Sequence, residues 1–470
     1  MNSNDGQPPR SSSVTRRTFL KTSAVAASFT AASWAQVPGA NDRIGIGIIG
    51  CGLMGRVHTR NFVAQPDTRI VAVSETYGPR LDMAAEMAGS SAVRCPDFRR
   101  LLENKDVDAV VISTPDHWHA LATMMACAAG KDVYVEKPLT VFVREGRWMI
   151  DVARKHKRIV QVGTQQRSGP HYQRARELIQ SGRIGDVVSV QCSFMRNVRP
   201  GFGNPPDCDP PRELDWEMWL GPARARRHNP NRAIYHFRWF WDYSGGQMTN
   251  LGQHSLDIVH WVLGLKAPKA VTSAGGRFFL KDNCEVPDTQ DTIIEYPGVQ
   301  AVCQIRESAA CAVKAATSGL IFQGTKATMI LSRSGFEIIP DRKELPVNIV
   351  SRIGSGHPVG GPQPVPEEGG EKYWVEPLTD TSGDSKQQYV LHTRNFLDCV
   401  KSRAQPVSDL ESAHEISTVC HLSNISLRLG RKLRWDGQRD EIVSDSEANQ
   451  MLARPYRSPW DAELKALGVG

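Results

Sequence analysis

The sequence has no apolar run of about 18 residues, so no segment has the composition of an ordinary transmembrane helix. Cysteine is scarce: ten cysteines are scattered over 470 residues, without a CxxC pair or a regular spacing. A disulfide scaffold is therefore excluded, and we expect most of the cysteines to remain thiols. The sequence also has no internal repeat, which excludes a solenoid or a propeller.

A concentrated basic stretch is absent as well. The 57 Lys and Arg residues interleave with 50 Asp and Glu residues, and the formal charge is +7. Four basic residues and one acidic residue lie in the first 35 positions, and without them the charge falls to +4. Nucleic-acid recognition needs a basic patch or stripe, so we expect no nucleic-acid partner. The composition, with 40% hydrophobic and 23% charged residues, is that of a globular protein. A chain of 470 residues is long enough for two or three domains.

Residues 1–35 have the order of features of a signal peptide. The pair Arg16-Arg17 precedes Phe19-Leu20-Lys21, a weakly apolar run follows to Trp34, and small residues end the segment at Ala35. This order predicts a twin-arginine signal cleaved after Ala35, with the export machinery as a partner and a periplasmic destination without a stable membrane anchor. The alternative is a disordered tail with a chance arginine pair. Because this route carries folded proteins, a bound cofactor would be taken up before export.

The next 120 residues alternate between short apolar runs and helical patterns. This alternation predicts a doubly wound parallel sheet over residues 43–163. The predicted strands are Ile44–Ile49, Arg69–Ser74, Val107–Ser113, Asp132–Val135 and Ile159–Val162, with helices near 53–65, 79–88, 120–129 and 143–155.

After Gly163 the pattern changes to repeated strand-like runs between turn residues. It predicts a second, α+β domain over residues 164–440, with a mostly antiparallel open sheet, and a C-terminal tail over 441–470. The predicted strands are 187–194, 270–277, 291–295, 299–305, 319–323 and 327–331, with helices at 172–181, 390–402 and 411–429 and Pro- and Gly-rich loops at 198–215 and 353–371.

A glycine loop follows the first predicted strand. Gly50, Gly52 and Gly55 have GxGxxG spacing, enclose Leu53 and Met54, and open a predicted helix. Such a loop turns tightly, lets the backbone approach a pyrophosphate, and presents the helix N-terminus to the phosphates. Glu75 ends the second predicted strand, where its carboxylate could accept from both ribose hydroxyls and would repel a 2′-phosphate. The motif therefore predicts NAD rather than NADP in a Rossmann domain; the alternative is a glycine turn with a surface glutamate.

Two further motifs follow strands of the same predicted sheet, where ligands of such sheets bind. Thr114-Pro115 and His119 come after the third strand, and His119 either approaches the cofactor or only belongs to a helix-capping loop. His117 and His119 alone are no metal site, because no third ligand is evident. Glu136-Lys137-Pro138 follows the fourth strand. Lys137 could stabilise a developing alkoxide, although these three residues alone favour the alternative of an exposed, ion-paired lysine.

A later segment, Ser244–Asp257, begins a predicted helix. Asn250, His254 and Asp257 fall at i, i+4 and i+7 on one face, as expected for the floor of a pocket. His254 is a candidate base because imidazole titrates near neutrality, and the alternative is a satisfied core histidine. Eight aromatic residues between Trp216 and Tyr243 suit either a sugar-binding wall or a core, and we expect most of them in the core.

Together these motifs resemble the Gfo/Idh/MocA oxidoreductase family, and especially its exported bacterial branch. The resemblance includes Gly245-Gly246, the run Trp219-Leu220-Gly221-Pro222 and the tail Arg454-Pro455-Tyr456, and it covers nearly all of the mature chain. It implies that Lys137 and His254 flank a substrate hydroxyl. Many members have Asp four residues before that histidine, where this chain has Asn250, which can orient a partner but not exchange a proton.

The resemblance implies oxidation of a sugar, polyol or glycoside CH–OH group, with hydride passed to tightly bound NAD. It implies the cofactor contacts Thr114, Pro115, His119 and Glu136, the substrate contacts Gln165, Arg167, His171 and Asp257, no metal, and a homo-oligomer. Two alternatives stay open. One is an NAD-dependent glycoside hydrolase or lyase that oxidises its substrate transiently; the other is a non-catalytic sugar-binding protein that retains a dinucleotide.

Overall fold

The computed structural model describes residues 43–310, 319–345, 363–364 and 372–470. The predicted signal peptide and most of the loop predicted at 353–371 lie outside these residues. Within the described part of the chain, no helix is both long and apolar enough to cross a membrane. Every cysteine in these ranges is a free thiol.

The first domain is the predicted parallel sheet with helices on both faces. Its strands are arranged in the order β3-β2-β1-β4-β5-β6, so the order reverses between β1 and β4, where such sheets bind ligands. The strands are β1 (Ile44–Ile49), β2 (Thr68–Ser74), β3 (Val93–Cys95), β4 (Ala109–Ile112), β5 (Asp132–Val135) and β6 (Val160–Val162). The helices are α1 (Leu53–Val63), α2 (Gly78–Ala88), α3 (Phe98–Glu103), α4 (His119–Ala128) and α5 (Val143–Lys155).

The second domain is built on a ten-stranded sheet in the order β16-β13-β12-β11-β7-β10-β9-β8-β17-β18. Its neighbouring strands are antiparallel except for β7 and β10, as the sequence predicted for a mostly antiparallel sheet. The strands are β7 (Val187–Met195), β8 (Ala270–Gly276), β9 (Thr289–Glu295), β10 (Gln300–Arg306), β11 (Leu320–Gly324), β12 (Ala327–Ser332), β13 (Gly335–Pro340), β16 (Leu378–Asp380), β17 (Leu433–Asp436) and β18 (Glu441–Ile442). A separate two-stranded ribbon contains β14 (Glu344–Leu345) and β15 (Gln363–Pro364).

The helices in this part of the chain pack either against this sheet or against the first domain and the aromatic cluster beside it. They are α6 (Pro170–Gln180), α7 (Trp216–Leu220), α8 (Gln253–Leu263), α9 (Ser385–Ser402), α10 (Leu410–Leu429), α11 (Ser446–Gln450) and α12 (Trp460–Ala466). Val190 and Met329 of the sheet share a buried core with Val259 of α8 and Val419 of α10.

Two of these helices, α9 and α12, pack against the first domain. Phe396 of α9 lies in one buried cluster with Ile48 of β1, and Trp460 of α12 lies in another with Val110 of β4. Burying an aromatic side chain of this kind contributes about 1.5–3 kcal/mol. The two domains therefore share apolar core on both sides of the parallel sheet, which fixes the cleft between them.

Candidate active site

One cavity lies where the strand order of the first sheet reverses. It encloses about 400 Å³ and receives residues from the glycine loop, from the ends of β2, β4 and β5, and from the second domain. Predicted site residues from both domains line it. They are Gly50, Gly52, Leu53, Met54, Glu75, Thr114, Pro115, His119, Glu136, Lys137, Gln165, Asn250 and His254.

The glycine loop has the geometry that a pyrophosphate requires. Gly50 has φ +87°, and a Cβ there would lie 2.6 Å from the Thr114 nitrogen. A Cβ at Gly55 would lie 2.0 Å from the Gly50 oxygen, so Gly55 packs α1 against the loop and does not line the cavity. Helix α1 starts at Leu53 without a side-chain cap, which leaves the N–H groups of its first turn for a ligand.

Glu75 lies at the end of β2, beside this loop. Its carboxylate accepts hydrogen bonds from the Cys51 nitrogen at 2.9 Å and from the Thr76 nitrogen at 2.8 Å. These bonds aim a negative charge at the part of the cavity next to the helix N-terminus. Arg80 of α2 also lines that part, so both signs of charge are present there.

The His119 ring contacts main-chain oxygens in the loops that follow β4 and β5. Its Nδ1 lies 2.6 Å from the Pro138 oxygen, and its Nε2 lies 3.0 Å from the Thr114 oxygen. The ring therefore links the Thr114-Pro115 loop to the residue that follows Lys137. His117 is elsewhere: its Nε2 contacts the Trp219 oxygen at 2.8 Å, and burial lowers its pKa to about 3. No metal-ligand cluster is found among the described residues.

Glu136 has a buried partner that the sequence analysis missed. His58 of α1 places its Nε2 2.7 Å from Glu136 Oε1, and both side chains are almost fully buried. Burial acts to raise the pKa of Glu136, but the hydrogen bond from His58 and the charge of Lys137 outweigh it and lower that pKa. Glu136 is therefore an anion beside the cavity. His58 has no motif that marks it, because 78 residues separate it from Glu136.

Lys137 extends from the end of β5 toward the second domain. Its Nζ donates to the Asn250 side-chain oxygen at 3.0 Å and to the Asn250 main-chain oxygen at 3.1 Å. Burial is the main cause that lowers the pKa of Lys137 to about 8, and the charges of Arg238 and Arg333 add to it. Near neutral pH the group is an ammonium that loses its proton easily, which suits a proton-handling role.

The segment that carries Asn250 is not a regular α-helix. Residues Met248–Gly252 form a π turn, and the α-helix begins only at Gln253. A π turn contains more residues than an α turn, so the predicted i, i+4, i+7 face does not continue across the junction. Asn250 and His254 nevertheless both reach the cavity from opposite sides of this junction. Asp257, on the same α-helix as His254, does not line the cavity and pairs with Arg167 instead.

His254 is a neutral imidazole at the inner wall of the cavity. It is 5% exposed, and its Nδ1 has no hydrogen-bond partner among the described residues. Burial is the main cause that holds the pKa of His254 well below its usual value, and the positive charge of Lys137 contributes further. A neutral imidazole that lines the cavity can accept a proton from a ligand hydroxyl through the ring nitrogen that faces that cavity.

A hydrogen-bond chain behind Asn250 sets the orientation of its amide. Asn250 Nδ2 donates to Gln247 Oε1 at 3.0 Å, and Gln247 Nε2 donates to Glu307 Oε1 at 2.8 Å. Arg196 then donates through Nε to Glu307 at 2.8 Å. Both amides donate through their nitrogens along the chain that ends at Glu307. The side-chain oxygen of Asn250 therefore faces Lys137 and accepts from its Nζ. Gln247 and Glu307 were not predicted, since 60 residues separate them.

The four predicted substrate contacts divide into two groups. Gln165 lines the cavity. Arg167 and Asp257 do not line it; they form a buried ion pair with Nη2 and Oδ1 2.7 Å apart, and the side chains are 4% and 0% exposed. His171 also lies outside the lining and contacts the Ser332 oxygen through Nε2 at 3.1 Å. These contacts indicate a structural role for the three residues. Arg167 and Asp257 hold α8 in place, and His171 holds the end of β12.

Aromatic residues divide between the cavity wall and a core behind it. Most of the predicted group is buried in one cluster, as expected, while several of its members also face the cavity. The aromatic residues that line it in this region are Phe202, Trp219, Tyr235, Phe237 and Trp239.

Comparisons with known proteins agree with this architecture. A family model described as an oxidoreductase family with an NAD-binding Rossmann fold matches residues 44–164. A second model, the C-terminal alpha/beta domain of the same oxidoreductase family, matches residues 176–274 and 380–462. Together the two matches cover well over half of the chain.

Among characterised relatives, inositol 2-dehydrogenase 2 of Saccharopolyspora erythraea is 29% identical over 249 residues, 53% of this chain and 60% of that protein. Inositol 2-dehydrogenase 1 of the same organism is 39% identical over 158 residues, 33% of this chain and 46% of that protein. This chain thus spans only about half of either relative. scyllo-Inositol 2-dehydrogenase (NAD(+)) of Bacillus subtilis is 23% identical over 83% of this chain and 96% of its own length.

Two solved structures share the fold. A levoglucosan dehydrogenase in complex with NADH and levoglucosan has a TM-score of 0.61 and 17% identity, covering 83% of this chain and 99% of its own. An oxidoreductase domain protein from Kribbella flavida has a TM-score of 0.63 and 16% identity, covering 86% and 100%. The two family models, the order of the strands and the position of the glycine loop lead to one conclusion: this chain belongs to the Gfo/Idh/MocA oxidoreductase family.

Proposed function

We propose that this protein is an NAD-dependent dehydrogenase that oxidises a CH–OH group of a sugar, a polyol or a glycoside. One observation carries the proposal. Lys137 of the first domain and His254 of the second line the same cavity as the glycine loop. A proton acceptor, a cation and a dinucleotide cradle thus surround one space, which is what removal of hydride and proton from a carbinol requires.

The residues present fit a pyridine dinucleotide. The N–H groups at the start of α1 would hold the pyrophosphate, and Glu75 would accept from the adenosine ribose hydroxyls. Thr114, Pro115, His119 and Glu136 would form the wall toward the reacting end. When bound, the dinucleotide supplies the hydride acceptor. The negative charge of Glu75 would repel a 2′-phosphate and so supports NAD. Arg80, which lines the same part of the cavity, would attract that phosphate, so NADP should be tested as well.

The protein's own groups handle the hydroxyl proton. His254 is neutral, so it takes the proton as the C–H bond breaks. The Lys137 ammonium stabilises the negative charge that develops on the oxygen, and the Asn250 oxygens hold that ammonium in place. Asn250 accepts hydrogen bonds and moves no proton itself. Gln165, which lines the same cavity, remains our proposed substrate contact.

The carbohydrate class of the substrate rests on relatives. The three relatives described above are inositol dehydrogenases, and one of the two structural neighbours described is a levoglucosan dehydrogenase in complex with NADH and levoglucosan. We further propose that the protein is a homo-oligomer and is exported to the periplasm with tightly held NAD. The arginine pair Arg16-Arg17 supports export.

Native mass spectrometry and turnover test the proposal together. The purified protein is expected to retain a mass equal to NAD and to reduce it when a polyol or sugar is oxidised. Lys137→Met and His254→Asn should keep the bound mass and lose turnover by about 10²–10⁴-fold each. The exposed Arg60→Gln is the control variant. Release of an aglycone without net reduction would favour the hydrolase or lyase alternative, and unchanged turnover in both variants would exclude our assignment.

A further inference from the structure

Three arginines line the substrate side of the cavity, and only one of them is neutralised. Arg196 forms an ion pair with Glu307. Arg238 and Arg333 also line the cavity, yet no carboxylate of the described residues lies within 4 Å of either guanidinium. Two half-buried cations that no carboxylate contacts are costly to place in a cleft, and a bound anion would offset that cost.

Arg238 is held in position by its own neighbours. It lies on a short 3₁₀ helix, His236–Trp239, and its Nη1 donates to the Tyr235 oxygen at 3.1 Å. Its guanidinium lies over the rings of Phe237 and Tyr235, with centroid distances of 4.6 and 5.4 Å. These contacts orient the side chain without neutralising its charge.

Arg333 is equally well placed, on the turn between β12 and β13. The preceding residue, Ser332, accepts a hydrogen bond at 3.1 Å through its main-chain oxygen from His171, whose pKa burial lowers. On the other side, the Gly383 nitrogen donates to the Ser334 oxygen at 3.1 Å. The turn is therefore anchored from two elements, and Arg333 is presented to the cavity by a fixed backbone.

Both arginines act on the reacting end of the cavity. Their charges lower the pKa of Lys137, and that of Arg333 also lowers the pKa of His254. The nearby acids contact other groups: Asp116 accepts a hydrogen bond from Ser244 and feels the charge of Arg238 without pairing with it, and Glu136 is bonded to His58. An oxidised nicotinamide ring would add another positive charge. The pyrophosphate would not offset it, because its site is at the start of α1.

We propose that the substrate is an anionic sugar, a sugar acid or a sugar phosphate, whose charged group binds between Arg238 and Arg333. The identity of the reacting molecule rests on the proposed function, but the anion site does not. Guanidinium groups match carboxylate and phosphate oxygens with two parallel hydrogen bonds, which gives both affinity and orientation. A hydroxyl elsewhere on the same molecule then lies toward Lys137 and His254.

Calorimetric titration of the NADH-loaded protein tests the proposal. The anionic ligands are D-glucuronate, D-galacturonate, D-gluconate and glucose 6-phosphate, and the neutral counterparts are D-glucose, D-galactose and D-glucitol. At least one anion is expected to bind tenfold or more tightly than its neutral counterpart. Arg333→Gln and Arg238→Gln should each weaken that anion by about 10–100-fold and change neutral ligands little. Arg60→Gln, on the exposed face of α1, should change neither.

The outcomes separate the two proposals. If neutral sugars bind as tightly as every anion, or if both arginine variants leave anion binding unchanged, the anionic-sugar proposal is wrong. Should neutral polyols be oxidised under those conditions, the dehydrogenase proposal stands alone. The same titrations without added NADH complete the test: if the protein binds no dinucleotide but still binds anions in an Arg238- and Arg333-dependent way, the anion site stands and the dehydrogenase proposal fails. The carboxylate and phosphate arms identify which anion is preferred.

Discussion

Lys137 and Asn250 join the two domains at the reacting end of the cavity: one ammonium donates to both oxygens of one asparagine, at 3.0 and 3.1 Å. The main-chain oxygen of Asn250 belongs to a π turn, and its side chain is oriented by Gln247. Lys137 therefore has a fixed direction before any ligand binds. Such preorganisation is what electrostatic stabilisation of a developing alkoxide needs.

The pH dependence of kcat/KM should have two limbs with different origins. Lys137 must be protonated to stabilise the alkoxide, so activity falls above about pH 8, where its lowered pKa lies. His254 must be neutral to take a proton, and its pKa is well below the usual value, so the acidic limb lies below the ordinary imidazole range. In Lys137→Arg the cation persists at high pH, so the alkaline limb should disappear. An unchanged alkaline limb would assign it to another group.

Asn250→Asp should move the alkaline limb upward. A carboxylate within hydrogen-bond distance of Lys137 Nζ favours the ammonium and raises its pKa by about one to three units. The shift is measured from the pH profile of kcat/KM, with Asn250→Leu as the variant that removes the side-chain acceptor without adding charge. If Asn250→Asp and Asn250→Leu shift the limb in the same direction, charge is not what Asn250 regulates.

Glu75→Ala should relax the choice between NAD and NADP. The carboxylate would accept from the ribose hydroxyls and repel a 2′-phosphate, while Arg80 would attract one. We expect NADP to bind at least about tenfold better and NAD about tenfold worse, as measured by NADH and NADPH fluorescence titration. Because Glu75 also accepts from the Cys51 nitrogen, Glu75→Gln is the matched control that keeps an acceptor. If Glu75→Ala binds NADH and NADPH with the same affinities as the wild type, Glu75 does not contact the ribose of the cofactor.

Arg167→Met should destabilise the fold and leave KM unchanged. It would leave Asp257 as an unpaired, fully buried carboxylate, which costs about 3–5 kcal/mol of unfolding free energy. Urea denaturation of the single variant and of Arg167→Met combined with Asp257→Leu measures this, and the double variant should recover stability. A rise in KM at constant stability would instead support the substrate role that the sequence predicted.

Arg16→Lys combined with Arg17→Lys should prevent export, because the receptor of this route reads the arginine pair. Fractionation of cells that express the full chain should find the wild type in the periplasm, lacking residues 1–35, and the variant uncleaved in the cytoplasm. Both forms should carry NAD if loading precedes export. A wild-type chain that stays uncleaved in the cytoplasm would contradict the signal-peptide prediction.

Sequence reasoning was most accurate where short-range patterns decide the structure. Buried parallel strands are continuous apolar runs, so β1 and β5 were predicted with the bounds that the structure gives, whereas the three-residue strand β3 was missed. The fold class was predicted from the order of elements, and the family from the combined resemblance of several motifs. Short strands such as β17 carry too few residues for a pattern, and their place is decided by pairing with β8.

The site was predictable only for residues that lie in recognisable motifs. Lys137 and His254 follow motifs of the family, and the structure brings both to one cavity. His58, Gln247 and Glu307 act through partners far away in the sequence, so no local pattern identifies them. The π turn is the opposite case. The helical period did not indicate that Asn250 lies in a π turn, and it suggested that Asp257 faces the pocket, whereas Asp257 is paired with the buried Arg167.

A crystal structure of the protein with NADH and an unreactive sugar ligand tests the central claim most directly. We predict the pyrophosphate at the start of α1, the nicotinamide ring beside Lys137, and one ligand hydroxyl within hydrogen-bond distance of both Lys137 Nζ and a ring nitrogen of His254. A cavity without dinucleotide at saturating NADH, or a nicotinamide ring turned away from Lys137 and His254, would contradict the account.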